Sequence, residues 1–211
     1  MRRGETPYSR ALELQRRIHT ERADGLRADT LLLLTHPPVV TLGRGSDPAH
    51  LLLSPEEYQR RGVEVVETDR GGDVTYHGPG QLIGYPILDL RSRGLGPREF
   101  LRRLEQSIIL LLDSFGIKSG RVPGLTGVWV GEEKIAAMGI RISRGVSQHG
   151  FALNVTTDPR KFDLIVPCGI RDRGVTSMAL ALGSRVDLED VLKRYPDCLI
   201  RALDTPTVRG G

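Results

Sequence analysis

The sequence is poor in cysteine and in long apolar runs. The two cysteines in 211 residues, Cys168 and Cys198, cannot build a disulfide framework, and neither lies in the Cys or His spacing of a zinc site. The apolar stretch at 30–36 is far shorter than the ~18 residues of a membrane span. Residues 1–25 carry charge throughout, which is unlike a signal peptide. These absences predict a cytoplasmic protein with no metal site and no membrane segment.

Aromatic residues are also scarce, at 5% of the chain. The net charge is +4 and the isoelectric point about 9.3, but the basic residues occur as scattered pairs. A nucleic-acid surface would more often combine a clustered basic stripe with stacking aromatic rings. The composition therefore argues against nucleic-acid binding and favours a mild preference for acidic partners.

Lysine is rare in this chain, since 26 of the 30 basic residues are arginine. Arginine does not give up its proton in a protein, whereas a buried lysine can. Each of the four lysines is therefore a candidate for proton transfer. They are Lys118, Lys134, Lys161 and Lys193.

Phosphate-binding motifs are missing, although the stretch RGGDVTYHGPGQ at 70–81 is rich in glycine. Neither GxxxxGK[ST] nor GxGxxG occurs. Gly71-Gly72 and Gly78-Pro79-Gly80 either form turns or allow a ligand to approach the main chain closely. The residues alone leave both alternatives open.

Strand-like and helix-like segments are grouped along the chain instead of alternating strictly. The helices are predicted at 9–22 with a Ser9 cap, at 54–62, at 96–117 and at 187–204, the last broken or kinked near Pro196. The strands are predicted at 29–36, as a short strand within 35–47, at 63–69 and 81–90, on either side of 131–133 within 127–143, and at 149–157. This pattern favours an α+β fold, with a mixed, mostly antiparallel sheet flanked by helices. With a length of 211 residues it predicts a single domain over 1–211.

Cys168 is a candidate nucleophile because it lies between Pro167 and Gly169 after an apolar run. Such an elbow can expose a sulfur beside main-chain donors, although free cysteines are more often inert and buried. A thiol nucleophile needs a base or a cation nearby. The candidates are His77, His149 and Lys134, each of which also has a purely structural interpretation. Cys198 lies in a predicted helix among leucines and is assigned to the core.

Four motifs together resemble the lipoyl(octanoyl) transferases in their order and spacing. They are RGGDVTYHGPGQLIGYP at 70–86, EEKIAAMGI at 132–140, HGFALNV at 149–155 and PCGI at 167–170. The first fits the family signature of Arg-Gly-Gly, Thr, an aromatic residue, His, Gly-Gln and a later Tyr. The sequence departs from the family pattern at none of the expected functional positions.

The resemblance implies a fold similar to the biotin/lipoate protein ligases and an octanoyl transfer that needs no cofactor. Cys168 would be the acyl-thioester nucleophile, and Lys134 would lower its pKa. Octanoyl-acyl carrier protein would be the donor. The acceptors would be lipoyl domains of 2-oxoacid dehydrogenase E2 subunits and the glycine cleavage H protein. The implied substrate-binding residues are Arg70, Gly71, Gly72, Asp73, Val74, Thr75, Tyr76, His77, Ala137, Met138, Gly139, Gly150, Phe151 and Ala152.

Two alternatives remain from the sequence. An ATP-dependent lipoate or biotin ligase would share the fold but would need no cysteine nucleophile. A non-catalytic module that binds acylated domains would need neither Cys168 nor Lys134. Thioester exchange followed by amide formation runs downhill without ATP, which agrees with the missing phosphate motifs.

Overall fold

The computed structural model describes residues 1–166 and 173–204, so Cys168 lies outside the described residues. Within these ranges the strands are β1 Arg2–Glu5, β2 Thr30–Thr35, β3 Val39–Leu42, β4 Glu64–Glu67, β5 Val74–His77, β6 Gln81–Ile87, β7 Gly120–Val122, β8 Leu125–Val130, β9 Glu133–Ser143 and β10 Val146–Asn154. The α-helices are α1 Tyr8–Ala23, α2 Pro55–Arg60, α3 Pro97–Asp113, α4 Met178–Leu182 and α5 Leu188–Asp204.

Two sheets form the frame of the molecule. The larger has seven strands in the order β1-β2-β6-β10-β9-β8-β7, and in it only β1 and β2 run parallel. The smaller has the order β4-β3-β5, with β3 parallel to β4 and antiparallel to β5. The predicted α+β architecture with a mixed, mostly antiparallel sheet is confirmed.

The large sheet buries both of its faces. On one face the apolar sides of α3 and α5 pack against inward residues such as Phe151 and Leu153 of β10. On the other face α1 packs through Ala11 and Ile18 onto β2 and β6. The small sheet lies beside α1, since Val39 of β3 packs against Tyr8 and Leu12. No helix in the described part of the chain is both long enough and apolar enough to cross a membrane.

Two details of the predicted helices are wrong. The residue that caps α1 is Pro7, and Ser9 lies inside the first turn without capping it. Of the break or kink predicted near Pro196, the break is wrong, because one helix runs through this residue from Leu188 to Asp204. Proline removes one helical hydrogen bond, but the residues of α5 that are buried against α3 offset that loss.

The glycine-rich stretch is more ordered than a loop. Its central residues form β5, which pairs with β3 through Thr75 opposite Thr41 and His77 opposite Val39. The sequence did not predict this strand, because four residues between glycines carry too little pattern to separate a strand from a turn. The turn Gly78-Pro79-Gly80 then carries the chain from the small sheet to β6 of the large one.

Candidate functional site

A cavity lies between the two sheets, on the face of the large sheet that also carries α1. Its floor consists of small residues from the adjacent strands β9 and β10. Ala152 lies opposite Ala137 in the sheet, and Gly150 lies opposite Gly139. Because none of these residues has a side chain larger than a methyl group, the sheet backbone itself is accessible to a ligand.

The glycine stretch forms the wall above this floor. Arg70 anchors it by donating from Nη2 to the carbonyl oxygen of Thr41 at 2.7 Å and to its Oγ1 at 2.9 Å. The N–H of Gly71 donates to the carbonyl oxygen of Ile140 in β9 at 2.9 Å. A Cβ atom on Gly139 would lie 2.8 Å from the carbonyl oxygen of Gly71. Glycine at 139 is therefore what lets the wall approach β9 so closely.

Three aromatic rings close the inner end of the cavity, and we call Tyr8, His77 and Tyr85 the end wall. The rings of Tyr8 and His77 are stacked, with centroids 6.3 Å apart and an interplanar angle of 6°. Tyr85 belongs to β6, and the buried ring of His36 lies behind it, with centroids 6.0 Å apart. The end wall therefore combines residues from α1, β5 and β6.

The histidines around the end wall are neutral at physiological pH. Burial lowers the pKa of His77 to about 3 and the pKa of His36 to about 4, because a buried imidazolium loses its hydration. The amide of Gln81 donates from Nε2 to Asn154, so its Oε1 accepts the Nδ1 hydrogen of His77 at 2.8 Å. From the sequence, His77 was a candidate base or a turn cap. In the structure it is a buried, neutral residue of the end wall.

His149 also lines the cavity and has an unusual backbone, with φ at 59° inside strand β10. Its Nε2 donates to Oδ1 of Asp69 at 2.7 Å, and Arg141 lies 3.1 Å from the same carboxylate. Burial lowers the pKa of His149 against the opposing effect of Asp69. From the sequence, His149 was a candidate base, but it was not among the predicted site residues.

Lys134 is buried next to the cavity, near the start of β9, with 9% of its surface exposed. Its ammonium lies 4.9 Å from the ring centroid of Trp129. A Cβ on Gly127 would lie 3.3 Å from its Cε, so the missing side chain at 127 gives the lysine room. The lysine lines two further cavities that adjoin this one, and one of these shares Thr75, Ala137 and Ala152 with it.

The cavity between the two sheets brings together most of the predicted substrate-binding residues. Those that line it are Arg70, Gly72, Asp73, Thr75, His77, Ala137, Met138, Gly139, Gly150, Phe151 and Ala152. Gly71 lines the adjoining cavity instead. Val74 and Tyr76 point to the other side of β5, where they pack in the cluster that contains Phe162. The predicted role of Cys168 falls outside the described residues.

Tyr8 and Tyr85 line the cavity but were not among the predicted site residues. For Tyr85 a signal was present, since the family signature contains a tyrosine after the Gly-Gln pair. Tyr8 lies in a different part of the chain, and nothing in its local sequence marks it. Among the described residues, no three His, Cys, Asp or Glu side chains are grouped in a way that could hold a metal ion.

The sequence is similar to a known protein family and to named bacterial relatives. A family model described as Lipoyl protein ligase A/B catalytic domain matches residues 7–199. An Octanoyltransferase of Solibacter usitatus is 51% identical over 207 residues, which cover 98% of this chain and 93% of that protein. An Octanoyltransferase of Acidobacterium capsulatum is 56% identical over 190 residues, covering 84% and 77%.

Among solved structures, a bipartite lipoate protein ligase from Thermoplasma acidophilum superimposes with a TM-score of 0.64. The sequences are 19% identical, and the match covers 94% of this chain and 79% of that one. At this identity the likeness shows a shared fold, which agrees with the fold expected from the motifs.

Proposed function

The chain belongs to the family of lipoyl protein ligase A/B catalytic domains, and on this premise we propose that it transfers an octanoyl group through a thioester on Cys168. The donor is octanoyl-acyl carrier protein, and the acceptor is a specific lysine of a lipoyl domain. The acyl group is thus held by the enzyme between two partner proteins.

One observation above all supports this proposal, namely a buried lysine beside a cavity that suits a linear acyl chain. The floor is made of alanine and glycine, and the histidines at the inner end are neutral. An apolar chain buried there gains roughly 0.8 kcal/mol for each CH₂ group. Lys134 lines two cavities that adjoin this one.

In the first half of the reaction the Cys168 thiol gives its proton to the amine of Lys134. The resulting thiolate attacks the carbonyl carbon of the octanoyl thioester, and the bond to the carrier's sulfur breaks. The departing sulfur takes up the proton from Lys134, so the carrier leaves as a free thiol. One thioester has replaced another, and the step is nearly balanced in free energy.

In the second half the amine of the acceptor lysine attacks the enzyme thioester and forms an amide. The C–S bond to Cys168 breaks, and Lys134 carries the amine's proton to the cysteine sulfur. Arginine could not replace Lys134 in either half, because its guanidinium does not deprotonate. Main-chain N–H groups next to Cys168 stabilise the oxyanion that forms in both halves.

The acceptors in this proposal are lipoyl domains of 2-oxoacid dehydrogenase E2 subunits and the glycine cleavage H protein. Such domains and acyl carrier proteins tend to be acidic. The net charge of +4 on this chain would therefore steer the encounter with both classes of partner. We also propose a cytoplasmic location, where these partners are found.

Intact mass spectrometry tests the thioester directly. After incubation with octanoyl-acyl carrier protein, the wild type should gain the mass of one octanoyl group, and addition of a lipoyl domain should remove it. Cys168→Ser should lose both the adduct and the transfer, whereas Cys198→Ser, at a buried cysteine in α5, should keep both. An adduct that survives Cys168→Ser would contradict the assignment.

The same assay separates the two alternatives. Transfer of free octanoate in the presence of ATP, without any adduct on the enzyme, would establish an ATP-dependent ligase instead. Binding of a lipoyl domain with neither adduct nor transfer under either condition would establish a non-catalytic binding module.

A further inference from the structure

Beyond the reaction itself, we propose that the ring of Tyr85 ends the acyl cavity and sets the length of the chain that the enzyme accepts. Octanoyl is then the longest linear acyl group that fits without displacing the ring. This inference rests on the proposed octanoyl transfer and adds to it a residue that determines specificity.

Tyr85 lies across the sheet from the side where Lys134 is found. Lys134 and Gly139 are in β9, Gly150 is opposite Gly139 in β10, and Tyr85 follows in β6. Two strand spacings correspond to roughly 10 Å. An extended eight-carbon chain is about 9 Å long, from C–C bonds of about 1.5 Å. A chain whose carbonyl end lies over Gly139, five residues along β9 from Lys134, therefore reaches Tyr85 with its last carbons.

The path between these strands is held open by glycine. A Cβ on Gly150 would lie 2.1 Å from the carbonyl oxygen of Gly84 and 2.6 Å from Cδ of Pro86, the two neighbours of Tyr85. Gly150 therefore packs directly on the backbone of β6. The ring of His149, which also lines the cavity, meets the Tyr85 ring edge-on, with centroids 6.4 Å apart. The first bulky group that a chain meets on this row is Tyr85.

A hydrogen-bonded chain fixes the Tyr85 ring in place. The carbonyl oxygen of Thr6 can only accept, so Nδ1 of His36 carries the hydrogen and donates to it at 2.6 Å. The low pKa of His36, about 4, keeps Nε2 unprotonated. Nε2 therefore accepts the hydroxyl hydrogen of Tyr85 at 2.7 Å. Burial raises the pKa of Tyr85 well above its ordinary value, so the hydroxyl keeps this hydrogen.

Packing behind the ring removes the remaining freedom. Tyr85 is 4% exposed, and His36 is fully buried. Tyr8 packs on the other side of His36, with ring centroids 5.1 Å apart. Leu32 of β2 pairs with Tyr85 in the sheet and is also fully buried. A chain longer than octanoyl would have to displace this whole group of side chains, which close-packed interiors resist.

Chain-length profiles test the proposal. The rate of adduct formation is measured as kcat/KM for hexanoyl, octanoyl, decanoyl and dodecanoyl carrier proteins. One extra methylene in a fitted pocket costs roughly tenfold or more in kcat/KM. The wild type should therefore prefer octanoyl over decanoyl by at least about tenfold. Equal rates for the two chains in the wild type would overturn the proposal without any variant.

Tyr85→Ala and Tyr85→Leu shorten the side chain at the end of the cavity. Each should raise the decanoyl-to-octanoyl ratio of kcat/KM by at least about tenfold. Tyr85→Phe keeps the ring, so its ratio should stay near the wild-type value even though the bond to His36 is lost. An unchanged ratio in both shortened variants would overturn the proposal.

Tyr58→Leu is the matched control, because Tyr58 is equally buried but packs in the cluster beside α2, away from the cavity. Its length profile should match that of the wild type. Failure of the wild type to acquire octanoyl at all would contradict the proposed function itself. A normal octanoyl adduct with length profiles that ignore Tyr85 would contradict only this inference.

Discussion

At the scale of single residues, the contact between the glycine stretch and β9 leaves no space for even one methyl group at 139. Gly139→Ala would place Cβ 2.8 Å from the carbonyl oxygen of Gly71 and 3.2 Å from Cδ of Arg70. The wall of the cavity would have to move. We expect kcat/KM for octanoyl transfer to fall by at least about tenfold, since displacements of about 1 Å can cost 10²-fold.

Gly120→Ala is the control for this change. Gly120 lies in β7 of the same sheet, and a Cβ there would meet nothing within 4 Å. Its kcat/KM should stay near the wild-type value. Equal activity of the two alanine variants would show that the close approach at 139 is unimportant.

Lys134→Arg keeps a positive charge beside Trp129 but removes the ability to exchange a proton. General acid–base groups contribute roughly 10²- to 10⁴-fold, so transfer should fall by at least about a hundredfold. Lys118→Arg makes the same substitution at an exposed position and should leave the rate of transfer unchanged. Single-turnover adduct formation, followed by mass spectrometry, measures both. Full activity of Lys134→Arg would rule out the proton-transfer role.

The predicted site residues lie together in the structure where their motif was contiguous. Arg70, Thr75 and His77 come within eight residues of one another, and all three line the cavity. Tyr8 reaches the same cavity from α1, more than sixty positions away, and its role exists only because the small sheet packs beside that helix. Sequence spacing carries no information about such a contact.

At the scale of secondary-structure elements, Glu105 joins α3 to the strands that follow it. Its carboxylate is 1% exposed and lies 2.7 Å from Arg102 and 2.8 Å from Arg121. It also accepts the N–H of Gly127 in β8 at 3.1 Å. The same Gly127 borders the side chain of Lys134, so this carboxylate supports the strand that Lys134 packs against.

Glu105→Ala would leave the buried N–H of Gly127 and both guanidinium groups without this acceptor. We expect the free energy of unfolding to fall by about 2 kcal/mol, since unsatisfied buried groups cost about 1–3 kcal/mol. Glu13→Ala, at an exposed position of α1, should change it by less than about 0.5 kcal/mol. Urea unfolding followed by circular dichroism measures both. Equal stability of the two variants would show that Glu105 does not stabilise the contact between α3 and β8.

Element-scale prediction depended on length and periodicity. Helix α3 was found because its apolar positions recur at helical spacing over 17 residues, and its buried face confirms the pattern. Strand β5 was missed because it has only four residues. Pro196 was given too much weight as a helix breaker, because tertiary packing of α5 is invisible in its local sequence.

At the scale of the whole molecule, the buried histidines make stability depend on pH. His36 and His77 have folded-state pKa values of about 4 and about 3, below the ordinary value. Below pH ~6.5 the unfolded chain binds protons at these sites while the folded chain does not. Stability that is present above that pH is therefore lost as the pH falls toward 4 and then 3.

The expected slope is on the order of 1.4 kcal/mol per pH unit for each histidine within that window. Urea unfolding between pH 7 and pH 4.5 measures it. His36→Gln should remove about one histidine's share of the slope, whatever its effect on stability at pH 7. A slope that is identical in His36→Gln and the wild type would contradict the assignment.

The fold as a whole was predictable because the family motifs fix it, whereas the arrangement of two sheets around a cavity was not. The resemblance placed Ala137, Gly139, Gly150 and Ala152 in one site, but nothing in the sequence showed which of them face one another across two strands. Only the register of β9 against β10 brings them into one floor. The pairing of β9 with β10 is set by the folded structure, and it cannot be derived from a single sequence.

The placement of Tyr85 and Lys134 on strands β6 and β9, with β10 between them, has a consequence for how such an enzyme can diversify. With the roles proposed for these two residues, substitutions at Tyr85 would change which acyl group is accepted while Lys134 stays on an unchanged strand. Selectivity and reactivity are then separately adjustable traits. A related enzyme that accepts a different acyl group could then differ at Tyr85 and keep Lys134.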